Sequence, residues 1–182
     1  MAQPIFWTAR VDPAVIVLRP QLTADCVQAI TTDRLAPHVV SQPADSVVRL
    51  CIGGERFDAD LPVPGDQEPF GALILLDELT PDRLGALSRF WMALAGKSIP
   101  PDTRLTGQRR KRARDMLRAI DGRATGATYR AVGEGIFPHH DLDAASWVGS
   151  AIRETTIRLV RDGMKLVRGG YRSILQQPRR KR

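Results

Sequence analysis

The apolar residues in the first third of the chain follow the patterns typical of β-strands. The runs AVIVLRP at Ala14–Pro20 and SVVRLCI at Ser46–Ile52 are rich in β-branched residues, and each predicts a buried strand. Apolar residues then alternate with charged residues over positions 57–61. Because glycine tolerates positive φ at both positions of a tight turn, the pair Gly53-Gly54 predicts a β-hairpin between the second strand and the third.

The rest of the N-terminal half contains one ambiguous segment and one helix. The run ALILL at residues 72–76 fits either a strand or a helix. Thr80 suits the N-cap of a helix, and Pro81 suits its first turn. Gly96 is expected to end this helix. Its predicted apolar face consists of Leu84, Leu87, Trp91, Leu94 and Ala95.

The C-terminal half predicts three helices, and the first of them is strongly basic. It is expected to run over Thr106–Ile120 and to end at Asp121-Gly122. Its apolar stripe consists of Ala113, Met116, Leu117 and Ile120. Arginine and lysine occupy most of its remaining surface.

The second of these helices is short and rich in glycine. Thr128 suits its N-cap and Pro138 ends it. Its predicted buried side consists of Tyr129, Val132, Ile136 and Phe137. Gly133 and Gly135 each cost about 1 kcal/mol in a helix relative to alanine, so we expect them to permit close packing.

The third helix is predicted to begin between Asp143 and Ser150 and to reach Arg168. Its predicted buried side consists of Ile152, Thr156, Leu159, Val160, Gly163 and Val167. Gly169 or Gly170 is expected to close the helix in the left-handed conformation. Tyr171, Ile174 and Leu175 would then pack back on the bundle.

Positive charge is concentrated in the C-terminal half of the 182-residue chain. Residues 1–96 contain 7 Lys and Arg and 12 Asp and Glu, a net of 7 − 12 = −5, whereas residues 97–182 contain 20 and 8, a net of 20 − 8 = +12. An acidic half beside a strongly basic half predicts two modules, with a polyanion as the partner of the second. A solvated basic surface is the alternative that charge alone leaves open.

Together these patterns predict an α+β fold. A small N-terminal α/β module with a β-hairpin would precede a C-terminal helix-turn-helix-like module of three helices. The predicted boundaries are residues 1–97 for the scaffold, 98–105 for a proline-containing linker, 106–176 for the helical module and 177–182 for a basic tail. The tail would add nonspecific attraction to phosphates or serve only solubility.

The third C-terminal helix is predicted to bind double-stranded DNA. A helix fits the major groove, and the arginine fork binds phosphate or guanine through two parallel hydrogen bonds. The basic stripe consists of Arg158, Arg161, Lys165 and Arg168, and Arg153 is expected nearest a base edge. The predicted interface also includes Arg130 and a cluster expected to contact the DNA backbone, Arg109, Arg110, Lys111, Arg112 and Arg114.

Catalytic and metal sites are not predicted, so we expect a non-enzyme without a cofactor. Cys26, Cys51 and His38 lack the spacing of metal ligands. His139-His140-Asp141 is better explained as a surface loop than as a metal site. The GKS segment at residues 96–98 lacks the earlier glycine and the following helix of a phosphate-binding loop.

The same sequence predicts a cytoplasmic protein that does not enter a membrane. Two cysteines do not make a disulfide framework, which favours a reducing compartment. The N-terminal residues do not have the pattern of a signal peptide. The longest aliphatic runs are far shorter than the roughly 20 residues that span a bilayer.

Two adjoining segments resemble a known family. The stretch MLRAIDGRATGATYRAVGEGIF, followed by SAIRETTIRLVRDGMKLVRGGYRSIL, resembles the RovC-like DNA-binding domain of proteobacterial transcription regulators. The most specific part is Arg158-Leu159-Val160, Gly163 and Gly169–Arg172. The upstream stretches FWTARVDPAVIVLRP and LSRFWMALAGKSIPPDTRLTGQRRKRARDML are also similar to segments that precede this core.

This resemblance implies transcription control, including activation of type VI secretion genes and regulation of mobile-element transfer. Some short members of the family are antiactivators that bind a related activator instead of DNA. Two functions therefore stay open: a duplex-binding regulator that also contacts itself or a related regulator, and an antiactivator that sequesters a relative. RNA binding is less favoured because aromatic residues, which stack on single-stranded bases, make up only 5% of the chain.

Overall fold

The computed structural model describes residues 5–20, 30–44, 46–61, 69–140 and 144–176. The predicted tail at 177–182, Cys26 and Asp141 lie outside these ranges. Two compact units are present. The first is drawn from the chain up to Asp102, together with Leu175 and Gln176, and the second comprises Thr103–Ile174.

A mixed five-stranded sheet forms the centre of the first unit. Its strands are β1 (Ile16–Pro20), β2 (Val39–Ala44), β3 (Val47–Ile52), β4 (Glu55–Asp60) and β5 (Phe70–Ala72). Their order in the sheet is β2-β3-β4-β1-β5, with β1 parallel to β4 and the other neighbours antiparallel. Since helices dominate the second unit, the predicted α+β class is confirmed.

The predicted hairpin joins β3 to β4. Ile52 pairs with Glu55, and the two intervening glycines have φ values of 60° and 80°. Both lie in the left-handed region, where a side chain is strained and glycine is not. The run at residues 72–76, which fitted either a strand or a helix, forms neither over most of its length. Strand β5 ends at its first residue, Ala72, and residues 73–76 have no regular structure.

Two helices belong to the first unit, α1 (Thr32–Leu35), which continues as a 3-10 turn, and α2 (Thr80–Leu94). The predicted N-cap of α2 is wrong, because Leu79 occupies the N-cap position. The Thr80 hydroxyl instead accepts the Asp77 N–H and donates to the Leu75 carbonyl, both in the preceding loop. The helix does end as expected, with Gly96 at a φ of 63°.

The predicted apolar face of α2 is correct at Leu87 and Leu94, which pack against the core, and wrong elsewhere. Leu84 is 51% exposed and Trp91 is 48% exposed. The buried side consists of Asp82, Arg83, Ala86, Arg89, Phe90 and Ala93. Phe90 contacts the ring of Phe57 edge-on, with 5.5 Å between centroids, and this contact anchors the helix on the sheet.

The second unit is helical. Its elements are α3 (Gly107–Ala124), α4 (Tyr129–Ile136), α5 (Ala144–Trp147), α6 (Ala151–Lys165), a π-helical turn (Leu166–Gly170) and α7 (Tyr171–Leu175). The hydroxyls of Thr106, Thr128 and Ser150 cap α3, α4 and α6 by accepting the N–H three residues on. The cap predicted at Thr128 is therefore confirmed.

Helix α3 is longer than predicted, and its predicted stripe is correct at Ala113, Met116 and Ile120. It continues through Asp121-Gly122 to Ala124, and Gly122 allows α4 to approach, since a Cβ there would lie 3.0 Å from Val132 Cγ2. Leu117, expected in the stripe, is 50% exposed, and the small Ala119 is buried instead.

The predicted buried side of α4 is correct at Val132 and wrong at Tyr129. Tyr129 is exposed, and the Arg123 guanidinium stacks over its ring at 4.5 Å from the centroid. Gly133 permits close packing as expected, since a Cβ there would lie 2.9 Å from the Trp147 ring. Gly135 has no neighbour that would contact a Cβ.

Two helices occupy the region where the sequence predicted the start of a single one. Helix α5 ends at Trp147, Gly149 turns the chain at a φ of 85°, and Ser150 begins α6. Residues 137–150 separate α4 from α6, which is longer than the 3–4-residue turn of a helix-turn-helix.

The close approach of α3 and α6 organises this unit. A Cβ at Gly163 of α6 would lie 2.8 Å from the Met116 carbonyl oxygen and 2.7 Å from Ile120 Cδ1. Beyond Lys165 the chain continues into the π-helical turn, and Gly169 kinks it at a φ of 114°, the positive φ that the sequence predicted for one of the two glycines. Val167, predicted to be buried, lies in this turn and is 59% exposed.

Replacing Gly163 with alanine should destabilise the second unit. The added methyl meets backbone, which cannot rotate away, so overpacking should lower the free energy of unfolding by about 1–3 kcal/mol. Gly135→Ala is the matched control, because the same methyl meets open space and should raise stability by up to about 1 kcal/mol. Urea unfolding followed by circular dichroism measures both. Equal stability of the two variants would contradict this packing.

Candidate nucleic-acid interface

The outer side of α6 carries a row of exposed cations. The buried side of the helix consists of Thr156, Leu159, Val160 and Gly163. Arg158, Arg161 and Lys165 each lie two residues from a buried position, which places them about 200° around the helix axis. All three are exposed, as is Arg168 in the following turn. We call these four residues the α6 row.

Few contacts within the protein occupy the α6 row. Arg158 reaches the Thr155 hydroxyl at 3.4 Å, and Arg161 lies 3.4 Å from an oxygen of Asp162. Lys165 and Arg168 form no ion pair with any residue that the structure describes. Exposed cations without close carboxylates keep their charge available to an anionic partner.

Arg153, expected nearest a base edge, lies at the N-terminal end of α6. Its side chain is half-buried, and its guanidinium donates to the Glu154 carboxylate at 2.8 Å. A base contact by Arg153 would therefore compete with this carboxylate. Because the Glu154 carboxylate occupies part of its guanidinium, Arg153 has fewer free N–H donors than an arginine of the α6 row.

The basic residues of α3 lie on two different sides of that helix. Arg112 is on the side facing α6, where it donates to Asp162 at 2.8 Å. Arg109 contributes its backbone N–H to the Thr106 cap. Arg110, Arg114 and Arg118 are exposed at intervals of four residues on the opposite side, and we call them the α3 row.

An open groove of about 420 Å³ lies between the middle of α3 and the C-terminal end of α4. Lys111, Arg114 and Arg118 line one wall, and His139 and His140 are on the other. Lys111 pairs within the helix with Asp115 at 2.9 Å. Sequence reasoning missed this groove and Arg118, because the groove forms only when α4 packs on α3.

Arg130, the remaining predicted contact, is exposed on α4. Its guanidinium lies 3.5 Å from Glu134 one turn later. The pair is of the i,i+4 type, which contributes only a few tenths of a kcal/mol on a helix surface. The side chain of Arg130 therefore remains accessible. It lies on α4, whereas the other predicted contacts lie on α3, on α6 and in the turn after α6.

The part of the chain that the structure describes lacks the side-chain clusters of a metal site. Within it, no group of three or more His, Cys, Asp or Glu side chains could hold a metal ion. His139 and His140 are both exposed, and His140 contacts the ring of Phe137. None of the described helices has the length and apolar character needed to cross a bilayer.

Comparison with known families assigns the helical region. A family profile for the RovC DNA-binding domain, described as "T6SS, Transcription factor, DNA binding domain", matches residues 73–176. The match covers 104 of the 182 residues (176 − 72 = 104). The chain belongs to this family. The resemblance found in the sequence is thereby confirmed, and the protein carries the DNA-binding domain of a transcription factor.

The RovC-type region begins directly after β5 and includes α2 as well as every helix of the second unit. It contains both the α6 row and the α3 row. Neither the curated proteins nor the solved structures compared with the chain gave a match.

Arg112 of this RovC-type domain should contribute to stability through its ion pair with Asp162. Arg112→Gln should lower the free energy of unfolding by about 0.2–1 kcal/mol, the range of a partly exposed pair. Arg110→Gln removes the same charge two residues away and should leave stability unchanged. A double-mutant cycle with Asp162→Asn, measured by urea unfolding, isolates the coupling energy. Zero coupling would mean that the pair does not stabilise the domain.

Proposed function

We propose that the protein is a transcription regulator that binds double-stranded DNA through the α6 row. The observation that carries this proposal is the exposure of Arg158, Arg161 and Lys165 on the side of α6 opposite its buried face, with Arg168 exposed in the turn that follows. Among the described residues, Asp162, 3.4 Å from Arg161, is the one carboxylate that contacts these four cations.

The dimensions of α6 support duplex binding. Its 15 residues give a length of about 22 Å at 1.5 Å per residue, and a helix is roughly as wide as the major groove of B-DNA. Three of the four side chains are arginines, whose forks suit phosphates and guanine edges. Lysine at position 165 suits phosphate as a point charge. The row is thus chemically equipped for backbone contacts and for readout of base edges.

We infer that the chain acts by binding and not by catalysis. Arginine keeps its proton at any physiological pH, so a site built mainly from arginines lacks a general acid or base. Such a site favours ionic recognition. The proposal places the protein in the bacterial cytoplasm, where duplex DNA is accessible, and gives it no cofactor.

The first unit is proposed to contact a second copy of the chain or a related regulator. Several large apolar side chains on its surface support this role: Leu73, Leu75, Leu76, Leu84 and Trp91 are all exposed. Contiguous exposed apolar patches are typical of interaction surfaces, and Leu73, Leu75 and Leu76 are close neighbours in the chain. The DNA-binding role does not depend on this contact.

Replacing Arg158 and Arg161 together with alanine should weaken duplex binding without unfolding the protein. Both side chains are exposed, so the fold loses almost nothing, whereas two phosphate contacts disappear. Affinity for the region upstream of the gene should fall about tenfold or more at ~0.1 M salt, and the slope of log K against log salt should drop by roughly 2 × 0.9. Gel-shift titrations at several salt concentrations measure both quantities.

Arg10→Ala with Arg56→Ala is the matched control, because it removes two exposed charges from the first unit. This control should leave affinity within about twofold of the wild type, since its charges lie outside the α6 row. Equal affinity of the Arg158 and Arg161 variant and the control would reject the α6 row as the interface. Tight binding of a related regulator with little salt dependence would favour the antiactivator instead.

A further inference from the structure

The helical unit carries two cationic surfaces that face in different directions. Helices α3 and α6 meet at Met116, Ile120 and Gly163. On α3, the α3 row is offset by two residues from Arg112, Met116 and Ile120, which face α6, or about 200° around the axis. On α6, Arg161 and Lys165 are offset by two residues from Gly163, which meets α3, or by the same angle around the axis. Each row therefore points away from the helix that carries the other.

This divergence limits what one straight duplex can contact. A rigid duplex lying along the α6 row is separated from the α3 row by the full thickness of two packed helices, whose axes lie about 8–10 Å apart. Arg112, on the side between the helices, is already bound to Asp162. The α3 row must therefore remain in solvent or bind something else.

The α3 row continues into the groove beside α4, and the whole surface is electropositive. Lys111, Arg114 and Arg118 in the groove are opposed by one carboxylate, Asp115, for a net charge of 3 − 1 = +2 with neutral histidines. Arg110 extends the row, which spans about 12 Å from Arg110 to Arg118. The exposed imidazoles of the opposite wall, at residues 139 and 140, add hydrogen-bonding groups.

We propose that the α3 row and its groove form a second phosphodiester-binding surface, which holds a DNA segment other than the one bound by the α6 row. This inference rests on the proposed function and assigns a partner to a surface that the proposed function does not use. One RovC-type domain would thus join two duplex segments, either two separate molecules or two distant parts of one.

The chemistry of the surface favours a nucleic-acid backbone over an acidic protein segment. Arg114 and Arg118 form no ion pair with any described residue, so both offer complete guanidinium forks. The row is linear and of one sign, which matches the regular charge of a polyphosphate strand. An acidic protein partner would also need apolar anchors, which typically carry the binding energy of such interfaces. Among the described residues of α3, Leu117 is the single exposed large apolar residue, so this surface offers few such anchors.

A two-duplex capture experiment with the full chain tests the inference. One short duplex of arbitrary sequence is immobilised, protein is bound to it at low salt, and a second labelled duplex is added. The wild type should retain the labelled duplex. Arg114→Ala with Arg118→Ala should bind the immobilised duplex within about twofold of the wild type yet lose most of the capture, because it lacks only the second surface.

Two further variants separate this inference from the proposed function. Arg158→Ala with Arg161→Ala should weaken the first binding step, whereas the Arg10 and Arg56 control should keep both steps. Circular dichroism of each variant shows that the fold is retained. Capture that persists in the Arg114 and Arg118 variant would mean bridging through self-association, and would overturn the inference while leaving the proposed function intact.

Three further outcomes of the capture experiment would each overturn the inference. If the Arg114 and Arg118 variant weakens the first step as much as the Arg158 and Arg161 variant does, both rows bind the same segment and the inference is wrong. A wild type that binds the immobilised duplex but never captures the second, as expected for an acidic-protein surface, also overturns it. A wild type that binds no duplex at all overturns the proposed function, and the inference with it.

Discussion

The contact between α3 and α6 at Gly163 is the constraint on which the helical unit depends. The missing side chain lets α6 approach the Met116 carbonyl and Ile120 so closely that a Cβ would lie within 3 Å of both. The apolar sides of the two helices then pack against each other and against α4. Charged residues two positions away from the contact have no neighbour to pack against and must face solvent. The placement of positive charge on two outward sides thus follows from how the helices pack.

The described carboxylates of the helical unit reduce the repulsion among its cations, but they leave most of the α3 row and the α6 row unpaired. Residues 103–174 contain 15 Lys and Arg and 7 Asp and Glu, a net of 15 − 7 = +8. Of the five carboxylates that the structure describes here, four lie within 3.5 Å of a cation. Asp162, which pairs with Arg112, links α3 to α6 directly. Because the remaining charge repels itself in the free protein, a bound polyanion would relieve that repulsion and raise stability through mass action.

Features that depend on neighbours in sequence were predictable, and features that depend on distant partners were not. The hairpin turn at Gly53-Gly54, the Thr128 cap and the strongly amphipathic α6 each follow from local spacing. The buried arginines of α2 did not, since Arg83 donates to the Ala9 carbonyl and Asp77, and Arg89 donates to Glu55 and the Pro100 carbonyl. An apolar pattern assigns arginine to solvent and cannot anticipate such partners. The groove beside α4 was missed for the same reason, because its two walls are separated in sequence.

Helix α2 shows that the family boundary and the packing boundary differ. The family match begins at residue 73 and so includes α2, yet the buried side of α2 contacts the sheet of the first unit. Phe90 lies against Phe57, and Arg89 pairs with Glu55 at 3.0 Å, both on β4. A protein consisting of the matched region alone would expose Ala86, Phe90 and Ala93 to water, at roughly 25 cal/mol for each Å² of apolar surface. The sheet therefore completes the family domain physically, although the match does not include it.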